Sequence, residues 1–158
     1  MRTLLGIKIG SKISDHYSFL GKSEGISPLF SEKDLVKLSH NQKKLLEGKL
    51  LGSFRLHQNF SILIAFLESN QEIKSISVNF EIVNEYSFGS FFSILKNEHR
   101  IDELSSMVGK KLISVKKQYP QIRFDGVENY VLFAPKCKVV FRFHVFNGRC
   151  HYIRISSN

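Results

Sequence analysis

The stretch FSILIAFLESNQEIKSISV, residues 60–78, has a counterpart in CKVVFRFHVFNGRCHYIRI, residues 137–155, which lies 77 positions further along the chain. Both alternate Phe, Ile and Val with other residues, which is typical of half-buried antiparallel strands. At this offset the apolar positions coincide as Phe54 with Val131, Leu56 with Phe133, Ile62 with Val139, Ile64 with Phe141, Phe66 with Phe143, Ile76 with Ile153 and Val78 with Ile155. The turns also match, Ser69-Asn70-Gln71 against Phe146-Asn147-Gly148. We therefore expect one strand-rich unit that is used twice.

A second pair of stretches lies upstream of the strands. GIKIGSKISDHYSFLGK, residues 6–22, corresponds to SMVGKKLISVKKQYPQ, residues 106–121, at an offset of 99 that aligns Gly10 with Gly109 and Lys12 with Lys111. Both predict a short helix, over 11–20 and 110–119, with a glycine before it and Gly21 or Pro120 as a breaker after it. The smaller downstream offset means that the first unit holds extra residues, which we place in an insertion at 23–49. Its Ser31-Glu32-Lys33-Asp34 has the form of a capping box and predicts a helix to Leu38, continuing towards Leu46.

These patterns predict an α+β fold of two tandem helix-plus-antiparallel-sheet units, with the helices packed on one face of the sheet. Strands are expected at 50–57, 60–68 and 73–83, and again at 129–134, 137–146 and 150–156, with a further helix at 89–104. The first unit would span 1–88 with its insertion at 23–49, and the second, basic unit would span 89–158. We expect the two units to form one compact domain.

The coinciding apolar positions are the expected core, so the alternate positions of each strand should face outward. In the first unit these are Arg55, Leu63, Ala65, Leu67, Ser75, Ser77 and Asn79; in the second they are Tyr130, Leu132, Val140, Arg142, His144, Phe146, Tyr152 and Arg154. Tyr, Phe and Arg concentrated on an uncovered sheet are typical of protein-recognition surfaces. The candidate partner-binding residues are Tyr130, Arg142, His144, Phe146, Arg149, Tyr152 and Arg154. A covering by loops, or simple cross-strand pairing, is the alternative.

The formal charge of +9 is concentrated in the C-terminal part. Residues 101–158 carry ten Lys/Arg and four Asp/Glu. Such an excess suits a nucleic acid, an acidic lipid surface or an acidic protein partner, and it also serves solubility alone.

The cysteine content and the hydropathy bear on location. Cys137 and Cys150 are predicted to lie too far apart for a disulfide, so both are interpreted as reduced thiols. The longest apolar run, 62–67, is too short to span a bilayer, and Gly6 and Lys8 interrupt the apolar start before a secretory signal develops. We expect a cytoplasmic protein with no membrane partner.

No pattern of catalytic or metal-binding residues is strong. His144, His151 and Cys150 are candidates to meet across the last hairpin, but zinc requires a fourth ligand that no nearby spacing supplies. A nucleophile pair of Cys150 with His144 lacks an oxyanion element and a third member. Neither phosphate-binding glycine-rich pattern is present. We therefore expect a protein that is not an enzyme, with no cofactor and no metal site.

The opening Gly6-Ile7-Lys8-Ile9-Gly10 to Leu20-Gly21-Lys22, repeated in tandem with meandering strands, resembles the small outer-membrane-lipoprotein-like repeat of the beta-lactamase-inhibitor-protein-like fold. That architecture is also found in bacterial toxin immunity proteins. This sequence lacks the lipoproteins' lipobox cysteine and the inhibitor's paired cysteines. The resemblance implies an uncovered sheet that grips a protein partner.

The favoured function is thus an immunity protein that neutralises a cognate toxin or enzyme by steric occlusion through its exposed sheet face. The alternative is a single-stranded nucleic-acid-binding protein, in which Lys136, Lys138 and the arginines contact phosphates while aromatic residues stack on bases. A third hypothesis is a structural subunit that pairs through its sheet edge.

Overall fold

The computed structural model describes residues 3–29, 36–41 and 48–158 of the chain. The strands are β1 (Thr3–Leu4), β2 (Ile7–Lys8), β3 (Gly25–Pro28), β4 (Lys49–His57), β5 (Phe60–Leu67), β6 (Ile73–Phe80), β7 (Arg123–Phe124), β8 (Tyr130–Ala134), β9 (Cys137–Phe143) and β10 (Cys150–Ser157). The α-helices are α1 (Tyr17–Leu20), α2 (Glu85–Asn97) and α3 (Leu112–Gln118), and short 3-10 segments lie at Ile13–His16 and Ser105–Met107. Most of the helix predicted from Ser31 onward lies outside the described residues.

Within the described residues, all strands but β1 and β2 form one antiparallel sheet in the order β3-β4-β5-β6-β10-β9-β8-β7. The order is symmetric, because each half consists of four strands that run from an edge strand to a central strand through three antiparallel pairs. The halves meet where β6 pairs with β10. The prediction of an α+β fold with two tandem helix-plus-sheet units is confirmed. The division at residue 88, which lies inside α2, stays a prediction.

The two units are related by a pseudo-twofold axis through the β6–β10 pair. Ser77 lies opposite Arg154, and these are the same position in the two units. On either side of them, Ile76 pairs with Ile155 and Val78 pairs with Ile153. The junction is therefore symmetric, and its four aliphatic side chains are all fully buried.

The backbone at the entrance to the sheet repeats in both units. The Gly10 N–H donates to the Ile73 carbonyl at 2.9 Å, and the Gly109 N–H donates to the Cys150 carbonyl at 2.8 Å. The isolated bridges Lys12–Glu72 and Lys111–Arg149 also occupy equivalent positions. The same register shift occurs at residues 65–66 in the first unit and at 150–152 in the second. Each of these hydrogen bonds and bridges joins a residue aligned at the offset of 99 to a residue aligned at the offset of 77. Both offsets therefore align structurally equivalent residues.

The core lies between the helices and one face of the sheet. Buried residues of α1, α2 and α3, among them Leu20, Phe91 and Val115, belong to the same cluster as the inward residues of the strands. The short helices predicted at 11–20 and 110–119 are present, the first as a 3-10 segment followed by α1 and the second as α3. The helix predicted at 89–104 begins earlier, at Glu85, because the side chain of Asn84 accepts the Ser87 N–H at 2.9 Å and caps its N-terminus. It ends earlier as well, at Asn97.

The predicted orientation of β8 is wrong by one residue. Leu132, expected outside, is 4% exposed in the core, whereas Phe133, expected inside, is 72% exposed. The cause is a register shift in β4 between Phe54 and His57, which gives the first unit one residue more than the second. A constant offset misses this bulge, and a one-residue slip moves every side chain to the other face.

Two further elements differ from expectation. β3 lies within the predicted insertion and pairs with β4, although its sequence GISP shows no apolar alternation. The first of the opening glycines, Gly6, belongs to a hairpin: Leu5 and Gly6 have φ of 61° and 69° and connect β1 to β2. Because a tight turn requires positive φ at these positions, glycine here reflects turn geometry.

Candidate functional site

The sheet face opposite the core, which we call the outer face, carries the candidate site. Ile153 and Ile155 point into the core, so the alternating Tyr152, Arg154 and Ser156 of β10 point to the outer face. Across the second unit, Arg154 neighbours Val140 of β9, Val140 neighbours Val131 of β8, and Val131 neighbours Arg123 of β7. This cross-strand row ends at the sheet edge.

A cavity of about 260 Å³ lies along this row, and we call it the outer-face pocket. It is lined by Arg123, Phe124, Asp125, Asn129, Val131, Phe133, Lys138, Val140 and Arg154. Val131 and Val140 are 8% and 2% exposed and form an apolar floor, although neither belongs to the main core. Phe133 is exposed and flanks the floor. Phe124 also lines the cavity, but its ring packs 5.1 Å from that of its cross-strand partner Tyr130. The pocket thus combines an apolar base with one exposed aromatic ring and cations.

Three cations and one carboxylate line the pocket. The Nε of Arg154 is buried and has no hydrogen-bond partner among the described residues. Arg123, Lys138 and Arg154 also form no ion pair within that part of the chain. A buried guanidinium donor without an acceptor is costly, because its desolvation is not compensated. The pocket therefore offers a donor that an anionic ligand would satisfy.

Asp125 does not neutralise these cations by a direct contact. Its Oδ1 accepts the backbone N–H groups of Val127, Glu128 and Asn129 at 2.9–3.2 Å, and its Oδ2 accepts from the Asn129 side chain at 2.6 Å. These hydrogen bonds, chiefly that from Val127, lower the pKa of Asp125 to about 2. The carboxylate therefore closes the β7–β8 turn and shapes one wall of the pocket.

Arg142 and Tyr152 form a second cluster on the outer face. The Arg142 guanidinium lies over the Tyr152 ring at 4.4 Å, its Nε donates to the Asn129 Oδ1 at 2.7 Å, and one terminal nitrogen lies 3.6 Å from Glu128. These contacts link β10 and β9 to the β7–β8 turn beside the pocket. Arg142 is thus engaged with protein groups, in contrast to Arg154.

The three cations of this pocket have no counterparts at the equivalent positions of the first unit. Across the pseudo-twofold axis, the register places Gly25 where the second unit has Arg123, Ser61 where it has Lys138 and Ser77 where it has Arg154. Arg55 occupies the position of Phe133, and it is paired with Glu24 at 2.9 Å and Glu81 at 2.7 Å. Because both units build the same fold, the three cations of the pocket are not required for folding.

The predicted site residues fall into three places. Arg142, Tyr152 and Arg154 meet on the outer face, as expected. Phe146 and Arg149 lie in the β9–β10 turn, and His144 lies where β9 ends, with its ring 5.6 Å from that of Phe146. The placement of Tyr130 on the exposed face is wrong, because the β8 slip turns it to the core side, where it packs 5.4 Å from Phe143. Their role in binding a partner stays a prediction.

The sequence prediction misses Arg123, Phe124, Phe133 and Lys138 of the pocket. Arg123 and Phe124 lie on an edge strand of two residues, which is too short to show alternation. The β8 slip places Phe133 in the expected core. Lys138 enters only the nucleic-acid alternative, as a phosphate contact, although its neighbours Cys137 and Val139 alternate with it as core residues.

Nucleophilic and metal chemistry find no support among the described residues. No group of three His, Cys, Asp or Glu side chains is placed to hold a metal ion there. Complete burial raises the pKa of the Cys150 thiol to about 12, which keeps it protonated and unreactive. His144 and His151 do meet, with ring centroids 5.7 Å apart. In addition, no helix in the described segments is long and apolar enough to cross a bilayer.

The sequence matches no protein-family model and no curated protein. The fold matches solved structures. One is a cysteine-rich secretory protein from Staphylococcus aureus subsp. aureus Mu50, with a TM-score of 0.54 and 12% identity over 95% of this chain and 43% of that one. Another is an extracellular protein containing a SCP domain from Bacillus anthracis strain Ames, with a TM-score of 0.57 and 11% identity over 95% of this chain and 44% of that one. This chain spans less than half the length of either.

These comparisons overturn several expectations. The resemblance to the lipoprotein-like and beta-lactamase-inhibitor-protein-like repeat is wrong, because the matched structures are SCP-type proteins. The predicted function of a toxin immunity protein is likewise wrong, because the two matched structures are described as a secretory protein and as an extracellular protein with a SCP domain. Neither is described as binding nucleic acid, and we set both functions aside. The cytoplasmic assignment is contradicted as well, because the neighbours are described as secretory and extracellular.

Proposed function

We propose that this chain is a non-catalytic binding module that acts outside the cytoplasm and holds an acidic peptide segment of a protein partner in its outer-face pocket. The observation that carries the proposal is Arg154, whose buried Nε has no acceptor among the described residues while two further cations line the same cavity. Arginine and lysine bind carboxylates through charge-assisted hydrogen bonds, which are roughly twice as strong as neutral ones.

The shape of the pocket favours a peptide side chain as the occupant. A cavity of about 260 Å³ is small for a drug-sized ligand, for which about 300–1,000 Å³ is usual, and suits one or two side chains. The exposed Phe133 offers an apolar contact to a residue beside the carboxylate. The two-residue edge strand β7 leaves room for an extended segment along the rim. An acidic peptide with interspersed aromatic residues meets all three features.

The extracellular location rests on the likeness to secretory and extracellular proteins. It is tested with intact cells of the source organism, treated with proteinase K and probed with an antibody against this chain. Loss of the signal without cell lysis is expected, and a signal that survives until lysis would contradict the location.

Binding is tested by fluorescence anisotropy with a labelled peptide in which glutamates alternate with phenylalanines, and with its glutamine-for-glutamate counterpart. The wild-type chain should bind the acidic peptide and bind the glutamine peptide weakly. Arg154→Ser and Lys138→Ser introduce the residues that the first unit carries, and each should weaken binding about tenfold or more, as expected for a hydrogen bond to a charged group.

The matched control is Lys96→Ser, which removes one exposed positive charge from α2. It should retain wild-type affinity at physiological salt. Equal binding by wild type, Arg154→Ser and Lys138→Ser would show that the outer-face pocket is not the site. A similar loss in Lys96→Ser would show that binding follows net charge alone.

A further inference from the structure

A second surface of the second unit lies away from the outer-face pocket, in the β9–β10 turn. Val145 and Phe146 are 92% and 93% exposed, so almost nothing in the described part of the protein shields either side chain. They are adjacent in sequence and project together. We call residues 144–149 the β9–β10 tip.

The tip is held in shape by its own hydrogen bonds. The Gly148 N–H donates to the His144 carbonyl and the His144 N–H donates to the Arg149 carbonyl, both at 2.8 Å. Asn147 accepts the Arg149 N–H at 3.0 Å through Oδ1 and donates through Nδ2 to the Val83 carbonyl at 3.2 Å. The polar groups beside the apex are thus used internally. The side chains left to face outward at the apex are apolar.

Cations border the apolar apex. A groove of about 590 Å³ beside it is lined by Lys111, Leu112, Ile113, Lys116, Asn147 and Gly148. Ile113 is 65% exposed and adds to the apolar surface. Neither Lys111 nor Lys116 forms an ion pair within the described residues. The surface therefore joins a protruding apolar apex to a basic rim.

The first unit provides an internal comparison. At the offset of 77, Val145, Phe146 and Arg149 correspond to Glu68, Ser69 and Glu72. At the offset of 99, Ile113 and Lys116 correspond to Ser14 and Tyr17, whereas Lys111 corresponds to Lys12. The first-unit turn is therefore acidic and hydrophilic with the same backbone pattern, since the Gln71 N–H donates to the Leu67 carbonyl as the Gly148 N–H does to that of His144. Because both sequences build this turn, folding does not require an apolar, basic tip.

We propose that the β9–β10 tip is an interfacial anchor for an anionic lipid surface, into which Val145 and Phe146 insert while Lys111 and Lys116 contact the headgroups. This inference goes beyond the peptide-binding function and is independent of it. The proposal replaces the expectation of no membrane partner, which depended on the absence of a membrane-spanning segment. Attachment at the lipid interface does not require a spanning segment.

The shape of the tip favours lipid over a protein pocket. Two neighbouring apolar side chains are almost fully exposed, so a soft medium accommodates them without a matching cavity. The tip hydrogen bonds already use the N–H groups of His144, Gly148 and Arg149 and the Asn147 side chain, so fewer polar groups lose water when the tip enters a lipid interface. Lysine binds headgroup phosphates as a flexible point charge and contributes about fivefold in affinity for each residue near an anionic surface.

The test uses the full chain and vesicles of phosphatidylcholine with and without phosphatidylglycerol. The chain contains no tryptophan, so Phe146→Trp introduces a single reporter at the apex. Its fluorescence should shift to the blue and gain intensity with anionic vesicles, and the shift should diminish in high salt. The control is Val127→Trp, at a position that is 81% exposed in the β7–β8 turn and should show no shift.

Sedimentation with the same vesicles measures the contribution of each group. Phe146→Ser, the first-unit residue, should lower the partition coefficient about tenfold, and Lys111→Ser with Lys116→Ser should lower it about twentyfold together. Arg154→Ser should leave it unchanged, which separates this surface from the peptide pocket. Equal shifts at positions 146 and 127, no sedimentation with anionic vesicles, or binding that survives Phe146→Ser would each overturn the proposal.

Discussion

At the scale of single residues, two half-buried histidines make the free energy of unfolding depend on pH. The Nε2 of His16 lies 3.0 Å from the Ser11 hydroxyl, which donates to the Lys8 carbonyl, and its Nδ1 lies 3.5 Å from the Arg100 guanidinium. Burial, followed by the charge of Arg100, lowers the pKa of His16 from 6.5. Burial, followed by His144 and Arg142, lowers the pKa of His151. Both side chains are therefore harder to protonate in the folded protein than in the unfolded chain.

The free energy of unfolding should decrease as the pH falls below about 6.5. In that range the unfolded chain binds more protons at the two histidines than the folded chain does, so protonation favours unfolding. Urea melts at pH 7.5 and at lower pH measure the slope. The double variant His16→Gln with His151→Gln should have a shallower slope, and an unchanged slope would contradict the assignment.

Glycine at position 109 has a steric role that its equivalent Gly10 lacks. Both have positive φ, +79° and +92°, so alanine is strained at either position by about 1–2 kcal/mol. A Cβ at 109 would also lie 3.1 Å from the ring of Phe88, whereas the nearest atom at position 10 is 4.0 Å away on Glu72. Gly109→Ala should therefore lower the free energy of unfolding more than Gly10→Ala in urea melts. Equal losses would show that the Phe88 ring shifts freely.

At the scale of elements, α2 closes the core over the central strands. The Phe91 ring lies edge-on to Phe60 at 5.3 Å and to Phe80 at 5.2 Å. The neighbouring Phe92 is only partly buried against the core. One helix turn thus joins strands β5 and β6 through aromatic contacts.

Phe91→Ala should lower the free energy of unfolding by about 3–5 kcal/mol, because it leaves a cavity beside the buried rings of Phe60 and Phe80. Phe92→Ala is the matched control and should cost less. Urea melts measure both variants. If their m-values equal that of the wild type, the difference between them is a difference in the free energy of unfolding. A loss in Phe91→Ala no greater than that in Phe92→Ala would contradict the role of this cluster.

The elements also show what the sequence predicts and what it does not. Alternation predicts β5, β6, β9 and β10, because each has one buried face of Ile, Val or Phe. It fails for β8 because the β4 bulge changes the count by one residue, and a bulge leaves no mark in an apolar pattern. It fails for β3 because GISP is exposed along its whole length and is held by backbone pairing with β4.

At the scale of the whole molecule, strand alternation predicts only those residues of the site that lie on long strands. Arg154, Tyr152 and Arg142 can be found because they alternate with core residues on long strands. The pocket itself depends on cross-strand neighbours from β7 and β8, which lie up to 31 residues away in sequence, as Arg123 lies from Arg154. The exposed tip residues are recognisable as a group, but the pattern assigns them to the same surface as Arg154.

The two units should unfold together, because β6 and β10 share one sheet and one core. Native-state hydrogen exchange at increasing urea tests this. If either unit unfolded alone, its central strand, β6 or β10, would leave the sheet and expose Ile76, Val78, Ile153 and Ile155. Amides of β5 in the first unit and of β9 in the second should therefore reach the same opening free energy. Loss of protection in β5 at clearly lower urea than in β9 would show two independent units.

The symmetric register at the β6–β10 junction has a consequence for how such a chain is built. A polypeptide with one unit alone would leave β6 unpaired, and β6 of an identical chain would complete it, with Ser77 opposite Ser77 and Ile76 opposite Val78. The fused chain keeps this register, because Ser77 lies opposite Arg154 and Ile76 lies opposite Ile155, the residue equivalent to Val78. Such a pairing between separate chains is a homodimer interface that is identical from both sides.

Joining the copies in one chain keeps that interface and removes the need for identical partners. Each half is then free to diverge, as the acidic turn of one unit and the basic, apolar tip of the other already show.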